Sequence, residues 1–241
     1  MANSYFISDA HLGAGDSETE KLKEDKLISF FDHAAETGER LFIVGDLFDF
    51  WFEYRTVIPR GYTRILSALK RLNESGIELH YIAGNHDFWM RDYFPEELGI
   101  PIHSDNLEYT INGRRFFMEH GDGIAKDDVG YRMLKRIFRN RVNIFLYSLL
   151  HPDVGVPLAK WVSSLSRGHT SKKGQLDDTD YVARAQQKFQ EGFDYVLFAH
   201  LHYPIFKTIG NNIYLNLGDW MEHFTYAVFD GKELRLEKWE Q

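Results

Sequence analysis

Residues 82–90 read IAGNHDFWM. An apolar run over 79–83 halts at Gly84, and Asn85, His86 and Asp87 follow, an amide, an imidazole and a carboxylate where a strand should end. Gly-Asn is also turn chemistry, and Asn and Asp favour loops through local side-chain hydrogen bonds, so the tetrapeptide alone reads equally well as a turn. The other strand ends break the tie. SYFIS (4–8) runs into Asp9 and His11; LFIV (41–44) runs into Asp46, with Asp49 three residues on. RRFFME (114–119) runs into His120 and Asp122, and YVLFA (195–199) into His200 and His202. Any one of these could be a turn cap or a hydrogen-bonded core histidine. Five together form a pattern, because ligand sites of open α/β sheets gather outside the carboxyl ends of the strands.

The segments between those ends alternate in period. A helix is expected from Glu18 to Glu36, with Leu27, Phe30, Phe31 and Ala34 on one face at the i, i+3, i+4, i+7 spacing. Ile65, Leu66, Leu69 and Leu72 mark a second helix before the strand 77–84. This β-α-β-α-β run implies a parallel sheet covered by helices. Beyond it, Asn112-Gly113 separates two strands over 107–119, a hairpin signal. Two further hairpins are expected near the C-terminus, with turns at Asn211-Asn212 and Asp230-Gly231. The stretch between Asp122 and Asp194 is different: helical in pattern but discontinuous, with apolar runs at 144–150 and 157–162. One domain over 1–241 with a helical insertion at about 123–178 is the economical organisation.

Composition narrows the chemistry. The 241 residues include no cysteine, so any metal must be held by nitrogen and oxygen. The N-terminus lacks a basic, then apolar, leader pattern, and no run reaches the roughly 20 apolar residues of a membrane span. A cytoplasmic location is the expectation. The net charge of −8 argues against nucleic acid as partner. The charge is unevenly spread, however: 126–173 carries ten Lys and Arg against three acids, +7 there and −15 elsewhere.

Imidazole, carboxylate and amide oxygen without sulfur suit Mn, Fe, Zn or Co. A carboxylate can bridge two such ions, and a pair of metals roughly 3.5–4 Å apart serves phosphoryl displacement. Asn85 is then a candidate ligand through its amide oxygen, His86 a candidate proton donor, and Asp87 a candidate for orienting the ring of His86. The ordered motifs D9-x-H11, G45-D46-x-x-D49, G84-N85-H86-D87, H120-G121-D122 and A199-H200-x-H202 resemble those of the calcineurin-like metallophosphoesterases. That resemblance implies an α/β, four-layer αββα sandwich and two divalent metal ions, manganese being the expectation. It implies Asp9, His11 and His202 on one ion and Asn85, His120 and His200 on the other, with Asp46 bridging. Ala199 stands where the family usually has Gly, which removes no ligand.

GDLFDFWFEY (45–54) and HGDGIAKDDVGY (120–131) are similar to a narrower group, the UDP-2,3-diacylglucosamine hydrolases of lipid A biosynthesis. This resemblance implies a UDP-linked acylated sugar as substrate and a cap over 123–178 that holds acyl chains. It also implies substrate contacts from Asn85, His86, Asp128, Tyr131 and Arg167. Many members of that group have Arg where this chain has His86, which suggests a proton-donating role that Arg would not readily fill. The basic, apolar insertion also suits peripheral contact with an anionic membrane surface. Two readings compete: a phosphoesterase for another nucleotide or soluble phosphodiester, and a binding scaffold with a decayed site. Trp51, Phe52, Phe88 and Trp89 read equally as cleft or core. His33, His80, His103, His151, His169 and His223 lack motif context and read as surface or structural.

Overall fold

The computed structural model describes residues 2–126, 129–159, 161 and 177–240. Strands β1 (Asn3–Ile7), β2 (Gly38–Val44), β3 (Glu78–Ile82) and β4 (Ile102–His103) run parallel. On the other side of β1 come the antiparallel β10 (Thr225–Phe229) and β11 (Leu234–Lys238), giving the order β11-β10-β1-β2-β3-β4. Helix α1 (Ser17–Thr37) starts where the Asp16 carboxylate accepts the Thr19 N–H at 2.8 Å, a side-chain N-cap. Its apolar stripe, Leu27, Phe30, Phe31 and Ala34, is buried as its spacing predicts. Helix α2 (Thr63–Glu74) buries Ile65, Leu66, Leu69 and Leu72 in the same core.

The second sheet contains β5 (Asn106–Ile111), β6 (Arg114–Glu119), β7 (Tyr195–Phe198), β8 (Pro204–Ile209) and β9 (Asn212–Leu217), ordered β5-β6-β7-β9-β8. Helix α6 (Thr179–Gln190) covers its outer face, with Tyr181 and Ala185 against Phe117, Val196, Phe198 and Tyr214. Between the sheets, Phe6 stacks on Phe42 at 5.0 Å and on Phe116 at 5.6 Å. Val44, Ile82, Met118, Leu197 and Leu215 fill the rest of that interlayer. The result is an αββα sandwich whose central strands, such as β1, β7 and β10, are buried on both faces, which explains their near-continuous apolar runs.

The hairpins follow the turn chemistry with one shift. Asn112 and Gly113 adopt φ of 50° and 79°, as a two-residue hairpin turn requires. The turn expected at Asn211-Asn212 lies one residue earlier, at Gly210-Asn211, and Asn212 already pairs with Ile209. The two-residue β4 and the single π-helical turn at Phe94–Leu98 were not legible, being too short to show a period. Between β6 and α6 lie α3 (Val129–Phe138), α4 (Arg141–Ser148) and a helix over 152–159, α5.

Candidate active site

The strand ends that the sequence singles out meet at one edge of the sandwich. Their loops are stitched together by backbone hydrogen bonds. Asp9 N–H donates to Gly45 O at 3.1 Å, His11 N–H to Asp46 O at 2.9 Å and Trp51 N–H to His86 O at 3.2 Å. Ala199 N–H donates to His120 O at 3.0 Å, and Trp220 N–H to Asp9 O at 3.0 Å. Two glycines are sterically required. A Cβ on Gly84 would run into the Asp46 side chain, and one on Gly45, at φ 85°, would run into the His120 ring. Ala199 accommodates its methyl in the buried interlayer, and its carbonyl accepts from Asn216 Nδ2 at 2.7 Å.

Among the described residues the side chains converge in three overlapping groups that could hold a metal ion, Asp9/His11/His202, Asp46/His120/His200 and, sharing His11 and Asp46 with these, His11/Asp46/His86, with the ligand atoms of each group within 4.8 Å of one another. In the first, His202 Nε2 lies 3.2 Å from Asp9 Oδ1 and 3.1 Å from His11 Nε2. In the second, His120 Nε2 is 3.2 Å from Asp46 Oδ2 and 3.1 Å from Asn85 Oδ1, so the Asn85 amide oxygen faces the same point. Asp46 Oδ2 also sits 3.6 Å from His11 Nε2, between the two groups. Its other oxygen accepts the His86 N–H at 2.9 Å. His120 is oriented from behind, since its Nδ1 donates to Val44 O at 3.0 Å.

This donor set fits divalent cations on two grounds. Asp9 Oδ1, Asp46 Oδ2 and His200 Nδ1 are buried with no hydrogen-bond partner, a costly state unless something else satisfies them. The charges are also mutually dependent. Burial alone would raise the Asp9 and Asp46 carboxyls, but the surrounding imidazoles hold both well below the usual carboxylate range. Burial would likewise lower His11 and His120, yet Asp49, Asp9 and Asp46 push His11 up to about 9, and Asp46 and Asp9 push His120 up to about 10. Burial and the neighbouring His120 push His200 down to about 4. A cation on these atoms would replace the two protons as the counter-charge.

His86 borders the cluster, and Asp49, not Asp87, meets its ring. His86 Nδ1 donates to Asp49 O at 2.8 Å and lies 3.7 Å from Asp49 Oδ1. Asp87 is fully buried, with its carboxylate on Gly84 N–H at 2.9 Å and on the Tyr81 hydroxyl; burial pushes it up to about 6. Its place is inside the Gly84–Asp87 turn, which it closes. Burial lowers the His86 imidazole, so the ring is neutral with its proton on Nδ1.

Several residues that shape the site carry no motif. Lys23, 2% exposed, donates from α1 to Ala10 O at 3.0 Å and His11 O at 2.9 Å, and pairs with Glu20 at 2.7 Å. Glu20 in turn accepts Gly13 N–H and Gly15 N–H at 2.6 and 2.7 Å, so one ion pair secures the whole 10–15 loop. The buried Glu53 accepts three successive backbone N–H groups, of Arg91, Asp92 and Tyr93, at 2.8–3.2 Å. Nothing in the sequence distinguishes this lysine from the surface lysines of α1 except its offset onto the buried face.

The inserted helices dock on the site through Asp122. Its carboxylate accepts the Tyr131 hydroxyl at 2.7 Å and pairs with Lys135 at 2.7 Å, both from α3. Between α3, α4, α5 and the loops after β2 and β3 lies a cavity of about 340 Å³. Phe50, Trp89, Phe138, Tyr147 and Leu158 wall it, while Asn85, His86 and Tyr131 bring its inner end to the candidate metal-binding cluster. Trp89 stacks on Tyr147 at 5.2 Å and donates Nε1–H to Phe138 O at 3.1 Å. Of the four aromatics left open by the sequence, Phe88 and Trp89 line this cavity, whereas Trp51 and Phe52 are buried core at 0% and 1% exposure. Asp128, Arg167 and His169 lie outside the described residues.

Comparison with known proteins agrees with this geometry. The calcineurin-like phosphoesterase family model matches residues 3–204. A UDP-2,3-diacylglucosamine hydrolase of Porphyromonas gingivalis is 34% identical, with 98% of this chain and 97% of that protein covered. One from Haemophilus influenzae is 28% identical over 93% of each chain. The five strand-end motifs, the two-sheet sandwich that brings them to one edge and the family match lead to one conclusion: the chain belongs to the calcineurin-like phosphoesterases.

Proposed function

We propose that the protein hydrolyses the pyrophosphate bond of UDP-2,3-diacylglucosamine, releasing UMP and 2,3-diacylglucosamine 1-phosphate. The observation that carries the substrate choice is the 340 Å³ apolar cavity whose inner end is Asn85 and His86. A soluble nucleotide would need the metal ligands but not aromatic walls leading away from them. Relatives that bear this hydrolase name over nearly their full length support the same choice.

In this reading Asp9, His11 and His202 would hold one divalent cation and Asn85, His120 and His200 the other, with Asp46 Oδ2, which lies between the two groups, serving both. Such cations, manganese in this proposal, supply Lewis acidity at the phosphoryl oxygens and acidify water beside them. Asp49 fixes the His86 ring through Nδ1, and Nε2 is the atom proposed to meet the substrate. A phosphate oxygen beside Nε2 raises the pKa of the imidazole, so His86 can take a proton and give it to the departing phosphate. Water adds at the phosphorus bearing uridine and gives up a proton to solvent, the bond from that phosphorus to the bridging oxygen breaks, and the sugar 1-phosphate leaves with the proton from His86 on that oxygen. The insertion over 123–178 acts as the cap: Tyr131, with Asp128 and Arg167, contacts the glucosamine phosphate, and the cavity takes acyl chain. The exposed apolar and basic face of the cap would rest on an anionic membrane surface, where such a substrate resides.

A mass-spectrometric substrate panel tests the assignment. UDP-2,3-diacylglucosamine should give UMP and the acylated sugar 1-phosphate, with kcat/KM far above that for unacylated UDP-sugars or simple nucleotides. Equal turnover across the panel would leave a phosphoesterase for soluble nucleotides instead.

A further inference from the structure

We propose that Tyr203 and His223 form a nucleobase subsite at the open end of the metal-ligand cleft, an inference that rests on the nucleotide-linked substrate proposed above. The cleft has two ends. One is the apolar cavity that begins at Asn85 and His86. The other is the Asp9/His11/His202 group, where His202 leaves 27% of its side chain exposed while Asp9 and His11 expose at most 1%. A substrate with its acyl chains in the cavity and its phosphorus at the donors can send its ribose and base out past the partly exposed His202.

Tyr203 follows directly in the chain and is 48% exposed. Its ring meets the His223 imidazole edge-on, with centroids 5.6 Å apart and planes at 80°. His223 is held in place from below. The Asp219 carboxylate, 2% exposed, accepts His223 Nδ1–H at 2.6 Å and the backbone N–H groups of Met221, Glu222 and His223 at 2.8, 2.6 and 3.1 Å. The intervening Trp220 ties this loop to the end of β1 through Asp9 O. With Nδ1–H committed to Asp219, Nε2 is the ring nitrogen that remains to accept a hydrogen bond. The pair thus offers an open aromatic face for stacking and, beside it, a fixed acceptor for a ring N–H. Uracil has both complementary features, a flat π system and the N3–H donor. A tyrosine kept for packing would be covered, whereas about half of this one is left to solvent.

Calorimetric titration of the manganese-loaded protein with UMP and with ribose 5-phosphate isolates the base, because both ligands carry the same phosphate. The wild type should bind UMP about tenfold more tightly, within the range that one base stacked on an aromatic ring contributes. Tyr203→Ala and His223→Ala should cut that preference to about twofold or less, while Tyr203→Phe, which keeps the ring, should retain most of it. Ribose 5-phosphate affinity in the same variants reports whether the phosphate site has survived. Equal wild-type affinities, an unmoved preference in both variants, or equal weakening of both ligands would each overturn the subsite. The comparison needs only a nucleotide. A chain that binds UMP as described but does not cleave UDP-diacylglucosamine therefore refutes the substrate reading alone, and turnover with an unmoved preference refutes the subsite alone.

Discussion

Left-handed backbone among the described non-glycine residues occurs at seven positions, and five of them are Asp9, His11, Asp46, His200 and His202. Such conformations cost on the order of 1–3 kcal/mol each and persist only where the surroundings over-determine them. Here the loop-to-loop hydrogen bonds and the Lys23–Glu20 pair supply that determination. Asp46 Oδ2, which lies between the two candidate groups, is where the two-ion proposal is most sensitive to substitution. Asp46→Asn should lose bound metal and nearly all activity, as metal analysis beside a turnover assay would show; retention of two ions with full turnover would contradict the bridging role. His86→Ala should keep both ions and lose roughly 10²–10⁴-fold in kcat, the usual contribution of a positioned acid or base. If it sheds metal as readily as His120→Ala, His86 is a ligand and not a proton donor. The pKa pattern gives a third expectation. His11 and His120 are raised to about 9 and about 10, so both are protonated in the metal-free protein at neutral pH and must be neutral to bind a cation. Metal uptake at pH 7 should therefore release roughly two protons, and affinity should rise with pH up to those values. Calorimetry in buffers of different ionisation enthalpy counts the protons, and uptake without release would show the imidazoles to be neutral beforehand. The candidate ligands stand out in the sequence because imidazole, carboxylate and amide recur at strand ends. The group that orients His86 was not, because Asp49 approaches from another loop while Asp87 is adjacent in sequence but faces into its own turn.

At the scale of elements, periodicity revealed those that bury a regular stripe. The stripes of α1 and α2 and the paired strands of the hairpins are where spacing put them, because burial of one face fixes both period and register. The inserted helices were legible only as basic and apolar, since α3 and α4 bury no full stripe against the sandwich. What holds α3 is polar: Tyr131 and Lys135 on Asp122, a side chain that the sequence marks only as the third residue of a His-Gly-Asp motif. Part of the apolar surface that α3 and α4 do not use for packing, including Leu134, Ile137, Phe138 and Tyr147, walls the cavity. Leu134→Asp places a charge in that wall and should depress turnover of a diacylated substrate far more than that of a small chromogenic phosphodiester. Each methylene buried from water contributes ~0.8 kcal/mol, so kcat/KM should climb with acyl length in the wild type until the cavity is full. A flat series from unacylated to fully acylated UDP-glucosamine would separate the cavity from substrate binding.

On the scale of the whole molecule, apolar exposure and charge are both concentrated in the insertion. Of fifteen large hydrophobic side chains exposed among the described residues, eleven fall between Met133 and Trp161, among them Met133, Val142, Phe145 and Leu149 at 61–67%. The same part of the chain, 126–173, carries +7 while the remainder carries −15. If the proposed membrane contact is made, this charge distribution favours an approach with the insertion toward the negative surface. No helix among the described residues is long and apolar enough to cross a membrane, so any attachment through these helices is interfacial. Each basic residue near an anionic surface contributes about 1 kcal/mol, and that attraction decays within a Debye length of roughly 10 Å at 0.1 M salt. Sedimentation with phosphatidylglycerol-containing vesicles should therefore recover the protein at low salt, with less recovered on neutral vesicles and less as salt rises. Phe145→Glu with Leu149→Glu removes apolar insertion and adds repulsion at positions that lie outside the cavity wall. That double variant should lose vesicle binding while keeping turnover of a detergent-dispersed substrate. Undiminished vesicle binding by the variant, or binding indifferent to lipid charge, would show that this face does not meet the membrane.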